Sequence, residues 1–327
     1  MKTLSIIVPI YNVENYLEEC LNSIVGVDDI EIILVNDASP DNSIEIAKNY
    51  VSKYNNIKLI SHEINRGLGA ARNTGIENAT GKYIMFLDSD DYLDTSKLLP
   101  LLKTLANVKW DQIIVSFLRF NKSAGVWKES NVKFFSKNNN KILSNSSFKS
   151  MINLINISPI RILKREKILQ EGIRFPKGLY EDVFWSYWFA YSCDTTLVVD
   201  NRIYFYRQHE KSILGSQSTQ HNDLFEQQER TIELFKSHNV PVDILRKVQS
   251  QFIKHIKHIL LNTDRLPDVT RNIFCKELIK SIDTFNKQDI LDNEIENLIS
   301  VNAFIQPIKK YKMYKKLIRT YFIIKGK

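Results

Sequence analysis

YIMFLDSDDYLD, Tyr83 to Asp94, drives an apolar run straight into three carboxylates, Asp88, Asp90 and Asp91. The run before Asp88 has the length and composition of a strand buried on both faces. It is the fourth such run in the chain. Upstream lie LSIIVP (Leu4 to Pro9), IEIILV (Ile30 to Val35) and IKLIS (Ile57 to Ser61). Each gap holds apolar residues at helical spacing. VENYLEECLNSIV places Val13, Tyr16, Leu17, Cys20, Leu21 and Ile24 on one side. SPDNSIEIAKNYVSKY predicts a second helix with Ser39 as N-cap and Pro40 as its first residue. GLGAARNTGIENA predicts a third. This βαβαβαβ rhythm implies a mostly parallel sheet with helices on both faces. Ligands of such sheets bind outside the carboxyl ends of the strands. The polar clusters fall there: Tyr11 and Asn12, Asn36 and Asp37, Asn65 to Gly67, then Asp88 and Asp90.

Downstream, Asp94 is placed to cap the helix TSKLLPLLKTLA, and WDQIIVSFLRF reads as a strand. Asn121 to Ser150 is rich in Asn, Ser and Lys and reads as a hairpin and loops. An aromatic helix is expected from Glu181. TTLVVD and RIYFYRQHEKSI read as a strand and a strand leading into a loop, and from about His221 the pattern is helical.

The 327 residues suffice for one large or two modest domains, and 43% hydrophobic with 25% charged residues is ordinary for a globular protein. Cys20, Cys193 and Cys275 are odd in number and far apart, which suits reduced thiols in a cytoplasmic protein and offers no zinc spacing. The first apolar run is too short and too soon acidic for a signal peptide, and no run reaches the ~18 apolar residues of a membrane span. Eight of the 45 Lys and Arg lie between Val301 and Lys327, where there is no Asp or Glu; the other 37 match the 37 acidic residues. A body with no net charge argues against a nucleic-acid-binding domain.

The chemistry begins with D-S-D. At an extended strand end, Asp88 and Asp90 share a side and Ser89 points away. Neighbouring carboxylates repel unless neutralised, and Mg²⁺ or Mn²⁺ does so with one or two carboxylates plus substrate phosphates. The competing reading is a solvated turn that opens a helix. Glu181 and Asp182 likewise fit either helix-dipole capping or a general base beside aromatic residues. Arg207, His209 and Ser212 in YRQHEKS suit a phosphate. GLGAARNTG is no dinucleotide fingerprint, because it follows the third strand with the wrong spacing. Its glycines are expected to open a helix and admit close approach of a ligand.

In order, SIIVPIYNVENYLEECLNSI, IEIILVNDASPDNS, NRGLGAARNTGIENATGKYIMFLDSDDYLD and FPKGLYEDVFW resemble the bacterial family 2 glycosyltransferases. The close match runs from Leu4 to Asp94 and a weaker one from Glu181 to Ser212. The resemblance implies a GT-A, Rossmann-like α/β fold over 1–220, with a nucleotide-binding half (1–94) and an acceptor half (95–220). A mainly helical region, 221–327, follows. It implies that Asp37 reads uracil, that Pro9, Tyr11, Asn12 and Asn65 line the nucleoside, and that Arg72 lies near the base and diphosphate. Asp88 and Ser89 would meet the donor ribose, Asp90 the metal with His209 as a further ligand, and Arg207, His209 and Ser212 the diphosphate. Asp182, with Glu181 beside it, is the implied catalytic base. Ala38 stands where the family usually has Gly. VGVDDIEI lacks the usual Gln-Thr, and Asn121 to Pro176, the acceptor region, matches nothing sharply.

The implied activity is an inverting, Mn²⁺- or Mg²⁺-dependent transfer from a UDP-sugar to an acceptor hydroxyl of a glycan or lipid-linked glycan, in surface polysaccharide synthesis. The alternative is a non-catalytic, glycosyltransferase-like scaffolding subunit; retention of both Asp90 and Asp182 speaks against it. A nucleotidyltransferase would need a glycine-rich loop after the first strand, and PIYNVENY has none. In the basic tail, 301–327, helical spacing puts Tyr311, Tyr314, Leu317, Ile318, Tyr321 and Phe322 on one side. Lys309, Lys312, Lys315, Lys316 and Arg319 fall on the other, with Lys310 and Ile323 out of place. That pattern fits an anionic membrane surface, with the protein peripheral at the inner face of the plasma membrane; a helix packed on its own domain, or a homo-oligomer contact, is the other reading.

Overall fold

The strand β1, Leu4–Ile10, is buried along its whole length, as a strand covered on both faces must be. It belongs to a computed structural model that describes residues 2–107, 110–121, 125–154, 157–207 and 219–261, with 266, 273, 274 and 277. The chain divides into two compact units, Met1–His209 and Glu210–Lys327.

The first unit continues as α1 (Leu17–Asn22), β2 (Ile30–Asn36), α2 (Ser43–Lys53), β3 (Ile57–Ser61), α3 (Leu68–Asn78), β4 (Tyr83–Phe86) and β5 (Tyr92–Leu93). Then come α4 (Thr95–Asn107), β6 (Gln112–Asn121), β7 (Val126–Glu129), α5 (Val132–Asn138), β8 (Ile142–Leu143) and α6 (Phe148–Met151). It ends with β9 (Arg161–Lys164), α7 (Arg165–Glu171), α8 (Glu181–Ser192) and β10 (Thr196–Tyr206). The sheet runs β3-β2-β1-β4-β9-β6-β10-β5. β1 pairs in parallel with β2 and β4, and β2 with β3. β9 is antiparallel to both β4 and β6, and β10 is parallel to β6. Six strands therefore point the same way, and only β9 and β5 reverse along this path. The chain leaves β1 toward β3 and returns on the other side at β4. That makes the β1/β4 crevice the topological switch point, where such sheets hold ligands.

Pro9 fits this crevice. The Ile10 carbonyl accepts from Asp37 on the β2 side and the Ile7 carbonyl accepts from Leu87 on the β4 side. Alternation then turns Pro9 toward β4, beyond the last paired residue of that strand, so its missing N–H interrupts no paired residue of the β1–β4 ladder.

Several expectations need correction. α2 starts at Ser43, not at Ser39 and Pro40. Ser39 Oγ instead accepts from the Asn12 amide and donates to Asp41, whose Oδ1 also takes the Ser43 amide. α1 is a short six-residue helix within the expected span. TTLVVD and RIYFY are one strand, β10, with an irregularity between Val199 and Tyr204 where Arg202 takes φ 50°. Asn121 to Ser150 does form the hairpin β6–β7, but it also contains α5 and α6. β9, for which the sequence shows no strand signal, is four residues long and carries a fully buried arginine, Arg161.

In the second unit the described residues include two helices, α9 (Asp223–Ser237) and α10 (Val242–Leu261), which pack together. No helix among the described residues is long and apolar enough to cross a membrane. The tail 301–327 and Cys275 lie outside the described residues; Cys20 and Cys193 are buried free thiols.

Candidate active site

Two carboxylate-centred clusters stand at the carboxyl edge of the sheet. The first surrounds Asp37, which follows β2 directly. Its Oδ1 lies 2.6 Å from His62 Nδ1 and accepts the Arg66 amide at 2.9 Å; its Oδ2 accepts the Gly67 amide at 2.7 Å. The 65–67 turn can wrap the carboxylate because Gly67 takes φ 91° and opens α3. Asn65, exposed, holds the same turn through its Oδ1 and the Gly67 amide. Ala38 sits at φ 55°, a left-handed conformation that favours glycine. Tyr11, 47% exposed, and Asn12, at φ 55°, lie at the rim with buried Pro9 behind them.

The second cluster is built on Arg72. This guanidinium, in the second turn of α3, is 1% exposed. Its Nη2 donates to Asp88 Oδ1 at 2.7 Å, and its Nη1 to Glu181 Oε1 at 2.7 Å and Asp182 Oδ1 at 2.8 Å. It lies over the Phe175 and Phe86 rings, 5.3 and 5.9 Å from their centroids, and Trp185 stacks on Phe175. The first turn of α8, which carries both acids, is entered through Tyr180 at φ 63°. That is an uncommon conformation for a bulky residue, located where site geometry is set. The two acids differ in access. Glu181 is 7% exposed and Asp182 18%.

One cation among these carboxylates leaves the cluster short of positive charge. Burial opposes the Arg72 charge, but Asp182, Asp88 and Glu181 outweigh it and hold its pKa above the ordinary value. Burial, then Asp182, push Glu181 up to about 8 against the pull of Arg72. Burial pushes Asp88 up to about 6, with Arg72 opposing and Asp90 and Asp182 adding to the rise. A cation added here would relieve that strain.

Asp91 has a different role. It is fully buried, and burial, with Asp90 and Asp88, raises its pKa well above the carboxylate range. Its Oδ2 accepts from the Tyr204 hydroxyl at 2.5 Å and its Oδ1 from the Arg207 amide at 2.6 Å. It ties the acidic turn to the end of β10. The Arg207 guanidinium pairs with Glu19 at 2.8 Å and lies over Tyr16 and Tyr92. Ser89 is buried, while Asp88 and Asp90 are partly open, but β4 ends at Phe86 and the Asp91 amide donates to the Asp88 carbonyl, so a turn rather than strand alternation places them. Asp94 accepts from the Ser96 amide at the start of α4. His209 and Ser212 lie outside the described residues.

Among the described residues no three His, Cys, Asp or Glu converge as a metal cage. The donors present are hard carboxylate oxygens, with one Asp88 oxygen already bonded to Arg72. Such a set suits Mg²⁺ or Mn²⁺ held by one or two carboxylates and completed by substrate phosphates.

Arg72 was expected at the base and diphosphate; the bonds its Nη atoms make here go to carboxylates, two of them 109 and 110 residues away in sequence. Of the glycines in GLGAARNTG and just before it, Gly67 opens α3, as expected, and Gly69 and Gly75 lie close to protein. A Cβ on Gly69 would meet the Pro176 carbonyl oxygen at 2.6 Å, and one on Gly75 the Ile7 side chain at 2.2 Å. His62 and Thr74 were not singled out; their only signal was closeness to the 65–67 turn and to Arg72.

The mostly parallel sheet, the switch-point crevice and the carboxylates at its rim define a GT-A-type α/β protein. The chain belongs to glycosyltransferase family 2: the family described as "Glycosyl transferase family 2" matches residues 5–168. Glycosyltransferase GlyA of Streptococcus pneumoniae is 42% identical over 126 residues, which is 38% of this chain and 18% of that protein. A poly(ribitol-phosphate) beta-glucosyltransferase of Bacillus spizizenii is 45% identical over 101 residues, 29% of this chain and 16% of that protein. The chain thus spans well under two thirds of these curated relatives. Residues 1–349 of Staphylococcus aureus TarS, solved with UDP-GlcNAc, share the fold at TM-score 0.62 and 22% identity, over 86% of this chain and 89% of that one.

Proposed function

We propose that this chain is an inverting, divalent-cation-dependent glycosyltransferase that moves a sugar from a UDP-sugar to an acceptor hydroxyl of a bacterial surface polysaccharide. The observation that carries the reading is the Arg72 cluster. One buried guanidinium holds the acidic turn after β4, through Asp88, and the start of α8, through Asp182. A donor-side carboxylate and a candidate base are thereby held in one frame, which is what in-line transfer between two bound substrates requires. TarS, solved with UDP-GlcNAc, and the poly(ribitol-phosphate) relative give the donor and acceptor classes their direction.

In this reading the nucleoside lies in the β1/β4 crevice against Pro9, Tyr11, Asn12 and Asn65, with its base on Asp37 and its ribose near Asp88 and Ser89. Asp90, with His209, would hold Mg²⁺ or Mn²⁺, which when bound supplies positive charge for the departing diphosphate. Arg207 and Ser212 serve the same diphosphate. Asp182, more open than Glu181, takes the proton of the acceptor hydroxyl as that oxygen attacks the anomeric carbon from the side opposite the leaving group. The configuration inverts. Glu181 keeps its place against Arg72. The basic tail 301–327 docks on an anionic membrane, where a lipid-linked acceptor would be presented.

Asp182→Asn tests the base. Its Oδ1 still accepts from Arg72, so the frame persists while the proton acceptor is lost. Transfer from a UDP-sugar should fall about 10²–10⁴-fold with UDP binding retained. Undiminished transfer by a folded variant would remove Asp182 from the mechanism.

A further inference from the structure

The surroundings of Asp37 limit what base it can read. A carboxylate offers about four lone-pair positions. Here Oδ1 faces both His62 Nδ1 and the Arg66 amide, and Oδ2 accepts the Gly67 amide. Three positions are filled and one, on Oδ2, is left. His62 is locked in turn. A carboxylate only accepts, so the proton of this pair lies on Nδ1. In the neutral ring Nε2 is then an acceptor, and it takes the Thr74 hydroxyl at 2.9 Å. Both side chains of the pair are at most 5% exposed, so neither swings away to free a second oxygen.

We propose that His62 is a specificity-determining residue: by filling one face of Asp37 Oδ1 it restricts this carboxylate to a single ligand N–H and so selects uracil over guanine. The proposal rests on the reading of Asp37 as the base-recognition residue. Uracil presents one ring donor, N3–H, between two carbonyl acceptors, and one remaining lone pair satisfies it. Guanine presents N1–H and an N2 amino donor side by side, which a carboxylate meets only with both oxygens turned outward. In this site one of those donors would be buried without a partner, the kind of loss that gives polar sites their discrimination. Thr74 on α3 and the turn opened by Gly67 thereby act on base choice through His62 and Asp37.

The test is calorimetric titration of UDP and GDP against the full chain and three variants, with folding checked by thermal melting. The wild-type chain should bind UDP at least about a hundredfold more tightly than GDP. His62→Phe fills the space but donates nothing; it should weaken UDP binding and shrink the UDP:GDP ratio at least about tenfold. Thr74→Val, which frees the His62 ring, should move the ratio the same way by less. His62→Gln can donate to Asp37 and accept from Thr74, and should restore the ratio. An unchanged ratio in folded His62→Phe and Thr74→Val overturns the role of His62 and leaves the UDP reading intact. A wild-type chain that prefers GDP overturns the UDP reading itself.

Discussion

Glu181 is the residue whose environment makes the sharpest demand. Its carboxyl is buried against Arg72 and Asp182, and burial lifts its pKa from 4.5 to about 8. The unfolded chain gives up this proton near the ordinary value, whereas the folded chain keeps it to about 8. The folded state therefore binds the extra proton, and stability contributed by this group is fully present below about pH 4.5 and is lost as pH rises toward 8. Glu181→Gln keeps an oxygen for the Arg72 Nη1 donor and cannot ionise. Its urea midpoint should match the wild-type one at pH 5 and exceed it at pH 8, and parallel curves over that interval would show that Glu181 is ionised throughout. The sequence contained the acids but not this behaviour. Glu181-Asp182 at the start of an aromatic helix was legible as capping or catalysis. The difference in access between the two was not, because it depends on how Phe86, Phe175 and Trp185 close around one guanidinium. Asp91 shows the same limit. In DSDD it looks like its neighbours, and only the arrival of Tyr204 and the Arg207 amide makes it a buried tether.

Among the elements, α3 does most to shape the site. It supplies Arg72 and Thr74, and Gly67 at its cap donates to Asp37. It lies close to the chain on two sides because Gly69 and Gly75 carry no Cβ. Alanine in a helix interior is ordinarily favoured over glycine by about 1 kcal/mol. At position 69 the new Cβ would come within 2.6 Å of a backbone oxygen, Pro176 O, and within 3.2 Å of Phe175 Cβ. Backbone cannot be rotated aside, so overpacking outweighs propensity and Gly69→Ala should destabilise the chain by about 1–3 kcal/mol in urea unfolding. Transfer should fall as well, since Arg72 lies one turn along the same helix. A gain in stability would mean that α3 and the 175–176 segment separate easily. The helix itself was legible: apolar spacing between two strand-like runs places it, and the bounds expected agree with Leu68–Asn78 to within a residue. The reason for its glycines was not legible, because a close approach to ligand and a close approach to a segment a hundred residues away require the same residue. β9 was hidden for a related reason. Four residues that pair on both sides with strands distant in sequence leave no periodicity to detect.

At the scale of the whole molecule the charge distribution sets apart the last stretch of the chain. The excess of +8 equals the eight Lys and Arg between Val301 and Lys327, so the remainder has as many acidic as basic residues. A neutral body has no long-range attraction for an anionic surface; any such attraction must come from this tail, which lies outside the described residues. Each basic residue near an anionic leaflet contributes about 1 kcal/mol, and the contribution decays within a Debye length. Aromatic residues at Tyr311, Tyr314, Tyr321 and Phe322, interleaved with the lysines, would add apolar burial that salt does not screen. These two terms separate by experiment. The full chain should float with vesicles containing phosphatidylglycerol at about 0.1 M salt and should ignore vesicles of phosphatidylcholine alone. Raising salt to about 1 M shortens the Debye length from about 10 Å to about 3 Å and should release most of the bound protein. The chain ending at residue 300 should not float under any of these conditions, while its transfer to a soluble acceptor should match that of the full chain. Equal flotation with and without 301–327 would place the membrane contact on the folded body, and flotation by neither would assign the tail to packing on the protein or to contact between copies of the chain.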